Sequence, residues 1–187
     1  MRYIASRYNK RILYFLLFMI PVMIILLLST WPQKKIIRNA FEVRNSLTYN
    51  IGSETPFTGM ILDTVTTKII EYYLIDGIKQ GNFIVYNLSG NIEVFGKMVN
   101  NKNEGEWKYF FPDGNLESVG NFESDKLTGK WLWYYPDGSL KKIGYFHNGQ
   151  ENGKWVEYKK SGDIQQETYF LNGKVVNSVK REELKSS

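Results

Sequence analysis

Glycine recurs in this chain on a 24-residue frame, and that period constrains the fold more than any other feature of the sequence. Gly81, Gly105, Gly129 and Gly153 each open a similar phrase: Gly81-Asn-Phe83, Gly105-Glu-Trp107, Gly129-Lys-Trp131 and Gly153-Lys-Trp155, every one closed by Tyr or Phe three residues later. Nine positions into each unit stand Gly90, Gly114, Gly138 and Gly162; fifteen positions in stand Gly96, Gly120 and Gly144, with Thr168 as the exception. Met98, Phe122, Phe146 and Phe170 follow two residues after these. A shorter unit begins at Gly59 and closes with Asp76-Gly77. Of the 16 glycines only Gly52 and Gly59, the opening of the shorter unit, fall outside four positions of this frame. A fixed period of this length marks a repeat architecture, in which each unit is one supersecondary element stacked on the last.

The chemistry of the unit is that of a β-hairpin. Runs rich in Trp, Tyr, Phe, Ile and Val alternate with turn formers, Pro112-Asp113-Gly114 and Pro136-Asp137-Gly138 at one end and Asn148-Gly149 and Asn172-Gly173 at the other. Where Gly149 and Gly173 stand in the later units, the earlier ones carry Asn101 and Asp125, two of the residue types that tolerate positive φ. The expected fold class is therefore all-β: serial antiparallel hairpins forming one elongated twisted sheet, preceded by a single transmembrane helix.

A two-residue turn at Asp137-Gly138 sets Trp131 opposite Gly144, Trp107 opposite Gly120 and Phe83 opposite Gly96. Each ring then lies over a cross-strand glycine. A type I turn with a glycine bulge would shift the register by one. The two-residue turn is preferred, because an odd shift at only one of the two turns would invert the faces from each repeat to the next. In this register Tyr134, Ile143, Tyr145, Tyr158 and Tyr169 share one face, and the Trp and Phe rows occupy the other. A single sheet with apolar rings on both faces must curl over itself or offer a face to a partner. Tyr134, Tyr145, Tyr158 and Tyr169 are the candidate partner-binding residues, with Trp133 as a further aromatic anchor.

The recurring Gly-x-Trp-x-x-Tyr/Phe, Asp-Gly-x-Leu and Asn-Gly-Lys/Gln elements, with Phe57-Thr58-Gly59 as an opening phrase, resemble the bacterial MORN-variant repeats of YwqK-like proteins. The resemblance covers residues 57–176. It implies serial hairpins in one antiparallel sheet and a scaffold-like or membrane-associated interaction role. It also implies an alternative, an antitoxin-like neutraliser of a toxin partner, since members of the group carry that label. The 24-residue unit and its aromatic pattern differ from the eukaryotic MORN unit, so lipid-binding residues do not carry over.

Residues 12–28 are uncharged and almost wholly apolar, and extension to Trp31 gives a length that spans a bilayer at about 1.5 Å per helical residue. Tyr14 and Trp31 stand near its ends and Pro21 within it. A basic flank at residues 1–11 also fits a secretory signal, but the exit Leu28-Ser29-Thr30-Trp31-Pro32 lacks the small-x-small pattern of a cleavage site. The organisation read from the chain is a basic flank (1–11), a transmembrane signal anchor (12–31), a connector (32–56), the repeat domain (57–176) and a polar tail (177–187). The expected location is a single-pass inner-membrane protein with its repeat domain outside the cytoplasm.

Charge and composition bear on chemistry. The net charge of +5 invites a nucleic-acid reading until it is located. Residues 1–44 hold eight Lys/Arg and one acid, and residues 45–187 sixteen and eighteen, so the basicity flanks the apolar stretch and the repeat domain is slightly acidic. No nucleic-acid partner is expected. Without cysteine there is no disulfide framework and no thiolate site. His147, the single histidine, precedes a turn in a slot that other units fill with Val99, Glu123 and Leu171, which reads as a surface position. Asp113 and Asp137 occupy turns, and paired carboxylates need a pocket that separates their pKa values. The lysines of Gly129-Lys130 and Gly153-Lys154 lack the Ser/Thr of a phosphate loop. No catalytic residue, cofactor, metal or small-molecule substrate is expected. The partners expected are the membrane, through residues 12–31, and a protein or cell-envelope component.

Overall fold

The computed structural model describes residues 41–181, and within them the secondary structure is entirely β. The strands are β1 (Phe41–Arg44), β2 (Leu47–Asn50), β3 (Gly59–Val65), β4 (Lys68–Ile75), β5 (Ile78–Asn87), β6 (Ile92–Val99), β7 (Lys102–Phe110), β8 (Leu116–Glu123), β9 (Lys126–Tyr134), β10 (Leu140–His147), β11 (Gln150–Glu151), β12 (Gly153–Tyr158), β13 (Ile164–Leu171) and β14 (Lys174–Lys180). From β3 to β14 each strand pairs antiparallel with its sequence neighbours in one twelve-stranded sheet, with the short β11 attached to β10.

Three expectations are corrected. The expected fold class joined one sheet to a transmembrane helix; the described residues contain no helix, so none is long and apolar enough to cross a membrane. The stretch 12–31 lies outside the described residues. The repeats do form one sheet, as expected, with β-structure on either side of the expected bounds. β1 and β2 form a separate two-stranded sheet inside the stretch read as a connector, turning at Asn45 and Ser46 with φ of +50° and +65°. At the other end β14 runs through residues 177–180, which had been assigned to the tail.

The third correction concerns the turns. Gly138 N–H donates to Tyr135 O at 2.9 Å and Tyr135 N–H to Ser139 O at 2.8 Å, with Gly138 at φ +82°; this is a type I turn closed by a glycine bulge, not the expected two-residue turn. The register nevertheless returns to Trp131 opposite Gly144, because a second irregularity between Leu140 and Lys142 cancels the shift made at the turn. The same double step occurs at Glu93, Glu117 and Gln165 in the other units, restoring Phe83 opposite Gly96 and Trp107 opposite Gly120. Two bulges in series preserve the faces, which is the condition that had favoured the simpler turn.

Opposite ends of the strands close with two-residue turns. Asn100-Asn101 and Ser124-Asp125 hold both residues at positive φ, as do Asn148-Gly149 and Asn172-Gly173. Successive turns are tied together: Asn101 Oδ1 accepts Lys79 N–H, and Asp125 Oδ1 accepts Asn103 N–H, each at 2.7 Å. The side chain therefore serves the preceding turn as well as tolerating its own backbone geometry.

Candidate functional site

Residues directly opposite one another on paired strands share a face, so the register assigns every side chain. On one face the rings form an unbroken line: Tyr72, Phe83, Trp107, Phe122, Trp131, Phe146, Trp155 and Phe170, each 5.1–6.1 Å from the next. Successive Trp and Phe rings meet mostly edge to face, at 68° for Trp107–Phe122 and 84° for Phe122–Trp131, the arrangement the ring quadrupole favours. Trp107, Trp131 and Trp155 are only 4–5% exposed, although no second layer of secondary structure covers them among the described residues.

The glycines account for this burial. Across β6 and β7, Gly96 alone stands against Gly105, Glu106 and Trp107, a bulge made possible by Gly105 at φ +69°. The last residue of the bulge lays its indole over Gly96, so closely that no Cβ fits there. Trp131 covers Gly120 and Trp155 covers Gly144 in the same way. Each indole N–H then donates to the carbonyl following the covered glycine: Trp107 to Lys97, Trp131 to Asn121 and Trp155 to Tyr145, at 3.1–3.2 Å. The expected backbone pairs are present, but each ring covers the glycine of the preceding repeat, not the one paired with it. The reason is the bulge, which re-aims the Trp towards the strand behind.

This lock also explains the exception at Thr168. The residue eleven positions beyond each covered glycine is Trp; eleven beyond Thr168 is Val179, and eleven beyond Tyr72 is Phe83. Where no indole arrives, the slot holds a side chain. Thr168 meets Ser178 across the last strand pair instead.

Of the candidate residues, Trp133 belongs to this ring face. It lies 5.9 Å from Trp131 and 5.5 Å from Trp155, with Lys142 Nζ 4.7 Å from its centroid. Tyr134, Tyr145, Tyr158 and Tyr169 fall on the opposite face. There a continuous cross-strand row runs Leu62, Glu71, Ile84, Phe95, Lys108, Val119, Leu132, Ile143, Val156, Glu167 and Val179, one residue per strand. Tyr134 and Tyr158 are half-buried on one side of this row, in a slot filled by Tyr86 and Phe110 in the earlier units. Tyr145 and Tyr169 lie on the other side, 42% and 38% exposed, and no other aromatic residue among those described is classed as exposed.

Sequence reasoning missed Lys154, which completes this patch. It stands directly opposite Tyr169, on the strand between Tyr169 and Tyr145, with its Nζ 5.9 Å from the Tyr169 centroid. Glu167 accepts from Lys154 Nζ at 2.6 Å, and Arg181 lies 3.8 Å from the same carboxylate. That hydrogen bond is the main reason the Lys154 amine is held above its ordinary range and the Glu167 carboxyl below its own. The signal was the Lys/Tyr pair implied by the register, Lys130 with Tyr145 and Lys154 with Tyr169.

The polar candidates have local partners. Asp113 Oδ1 accepts Asn115 N–H, and Asp137 Oδ1 accepts both the hydroxyl and the N–H of Ser139. The Ser139 bonds, followed by Lys160, hold the Asp137 carboxyl below its usual range. His147 is exposed beside Asn148. A hollow of about 200 Å³ lies among Tyr135, Lys141, Lys142, Glu157, Tyr158 and Gln165, where Tyr135 OH donates to Tyr158 O at 2.8 Å.

Among curated proteins no match to the sequence was found. The profile of a family described as a MORN repeat variant matches residues 103–124 and 127–148, which are the hairpins β7–β8 and β9–β10. With the repeating fold, these two matches support a MORN-repeat protein, a class of generally non-catalytic modules for protein or membrane interaction.

Proposed function

We propose that this chain is a non-catalytic interaction module whose repeat sheet binds a protein or cell-envelope partner through the face carrying Tyr145 and Tyr169. The observation that carries the reading is the contrast between the faces. On one, the rings pack against each other, and Trp107, Trp131 and Trp155 offer 4–5% of their surface. On the other, two tyrosines one repeat apart stand exposed on either side of Lys154. Large amphipathic rings on a rigid sheet supply contact area at little entropic cost, which is what an interface anchor needs. Tyr134 and Tyr158 flank the same surface and extend it. The position of the module at the inner membrane, with the repeats outside the cytoplasm, rests on the apolar sequence 12–31 and its basic flanks. The kinship with bacterial YwqK-like proteins rests on the repeat phrases. Neutralisation of a toxin is the alternative, and a harmless product of the neighbouring gene would count against it.

The test is partner capture by the full chain against Tyr145→Ser/Tyr169→Ser. Loss of the captured partner, with an unchanged melting temperature, supports the face; equal recovery disposes of it.

A further inference from the structure

The hollow beside Tyr135 belongs neither to the ladder of indoles nor to the tyrosine patch, and the register shows where it arises. On the ring face Val94 pairs with Tyr109 and Ser118 with Trp133, so at each earlier junction a large ring stands opposite a small residue. At the next junction Lys142 pairs with Glu157, and no ring fills the place. A space of about 200 Å³ lies there among Tyr135, Lys141, Lys142, Glu157, Tyr158 and Gln165. It equals the share of roughly six or seven liquid waters, room for one six-membered ring with its substituents.

The charged groups around it are held apart. Lys142 faces Glu157 across the strands without forming an ion pair; its Nζ lies 4.7 Å from the Trp133 centroid and 5.0 Å from that of Trp155. Lys141 Nζ lies 5.6 Å from the Tyr135 centroid, and the Tyr135 hydroxyl is tied to Tyr158 O. Rings attract ammonium groups without neutralising them. The bulge at Lys141 breaks the alternation of the strand, which lets two successive lysines line the same space. Among the described residues Lys141 and Glu157 form no ion pair, and the Gln165 side chain makes no hydrogen bond. No contiguous motif announces this set, which comes from the ends of neighbouring strands, so no such site was expected from the chain.

Charge changes sign along this edge of the sheet. At the first junction, residues 87–94 with 109–117 carry −3, from Glu93, Asp113 and Glu117. At the second, 111–118 with 133–141 carry −2, from Asp113, Glu117 and Asp137 against Lys141. At the third, 135–142 with 157–165 carry +1, from Lys141, Lys142, Lys159 and Lys160 against Asp137, Glu157 and Asp163.

The geometry points to a binding site for a hydroxylated monocarboxylate the size of one sugar ring, the chemical class of a uronate. Lys141 and Lys142 donate to its carboxylate. Glu157, whose ionised carboxylate only accepts, takes a hydroxyl, and the Gln165 amide serves either group. A ligand of charge −1 matches the surrounding +1. A phosphate, with close to two negative charges, is opposed by Glu157, and a zwitterionic amino acid leaves the excess positive charge unmet. The hollow is separate from Tyr145, Lys154 and Tyr169, so it stands or falls without the interaction face.

The experiment is isothermal titration calorimetry of the full chain in mild detergent with glucuronate, glucose, propionate, glycine and glucose 6-phosphate. Glucuronate should bind saturably and at least about tenfold more tightly than each of the others. Lys141→Glu installs at an exposed position the residue type of Glu93 and Glu117, and should weaken glucuronate at least about tenfold without changing the melting temperature. Glu157→Trp installs the ring that Trp133 provides one repeat earlier, and should abolish binding by filling the space. Tyr145→Ser/Tyr169→Ser should bind glucuronate as wild type does. Absence of saturable glucuronate binding overturns the proposal, as does equal affinity for glucose or propionate, or binding that survives Lys141→Glu. Tighter binding of glucose 6-phosphate or of glycine would assign the hollow to a phosphate or a zwitterion and overturn it equally.

Discussion

Adding one methyl group at Gly144 tests the repeat lock. An alanine Cβ at this position would lie 2.6 Å from Cδ2 and Cε2 of Trp155, against an ordinary contact beginning at 3.4 Å. Gly144 has no positive φ, so alanine strains no backbone there and the cost is that of the collision. The Trp155 ring, 5% exposed and packed 5.1 Å from Phe146 and 5.4 Å from Phe170, must retreat by about 0.8 Å, enough to forfeit roughly a quarter to a half of each contact well. Overpacking of this kind costs about 1–3 kcal/mol. Retreat also lengthens the 3.1 Å bond from the indole N–H to Tyr145 O, worth about 1 kcal/mol, so Gly144→Ala should destabilise by about 2–4 kcal/mol. The assay is urea unfolding of the full chain in detergent, run as a double-mutant cycle. Trp155→Val alone should cost about 3–5 kcal/mol. Gly144→Thr/Trp155→Val places at this slot the side chain that the frame holds at Thr168, where no indole arrives, and it should cost no more than Trp155→Val alone. Gly138→Ala is the control: it meets nothing within 4 Å, pays roughly 1–2 kcal/mol for holding φ +82°, and should not couple to Trp155. Additive costs at Gly144 and Trp155, or a loss below about 0.5 kcal/mol for Gly144→Ala, would refute the lock.

Two further outcomes follow from single contacts. Asp125→Gly keeps the turn geometry at φ +69° but loses the acceptor for Asn103 N–H, costing about 1 kcal/mol, whereas Asp125→Ala also strains the backbone and should cost roughly 1 kcal/mol more; equal melting temperatures for the two variants would contradict this. Glu167 has its carboxyl depressed chiefly by the hydrogen bond from Lys154, so its stabilising contribution is complete above the ordinary glutamate range and is lost as pH falls through the depressed native value. Lys154, raised by the same bond, contributes below the ordinary lysine range and loses its share as pH rises through the raised value. Glu167→Gln should therefore flatten the fall of melting temperature on both the acid and the alkaline side, and parallel curves for wild type and variant would count against the pair.

The hairpin period was legible because glycine and aromatic residues at fixed spacing carry backbone and packing constraints together. The pairing of Trp131 with Gly144 was legible for a more indirect reason. Two irregularities, one at Gly138 and one at Lys141, cancel, so a count from the wrong turn arrives at the right partner. The direction of the ring was not legible from that count. Pairing is a property of the backbone, whereas the indole follows the three-residue bulge at Gly129, and a bulge re-aims a side chain without altering the pairing beyond it. The hairpin β1–β2 was hidden differently: Asn45 and Ser46 make its turn outside the 24-residue frame and without a glycine, and its short strands carry Glu42, Arg44 and Asn50 among their few residues.

The lock also bears on which surface remains for a partner. Trp107, Trp131 and Trp155 each close over the repeat behind them, so one face of the sheet consumes most of its own indole surface, and burial passes from unit to unit as nearest-neighbour contact. The other face has a cross-strand row interrupted by Glu71, Lys108 and Glu167, and a charged side chain cannot be sealed by the next repeat without a partner. Burial there stays incomplete, and Val156 is the one member of the row among the buried hydrophobic residues. Tyr145 and Tyr169 stand beside that incompletely buried row, in a slot that earlier units fill with Lys97 and Asn121. Lysine and asparagine hold this slot in the earlier units, so the lock does not require a ring there. Replacing them should therefore leave the ladder of indoles unchanged, which separates the cost of losing a partner from the cost of losing the fold.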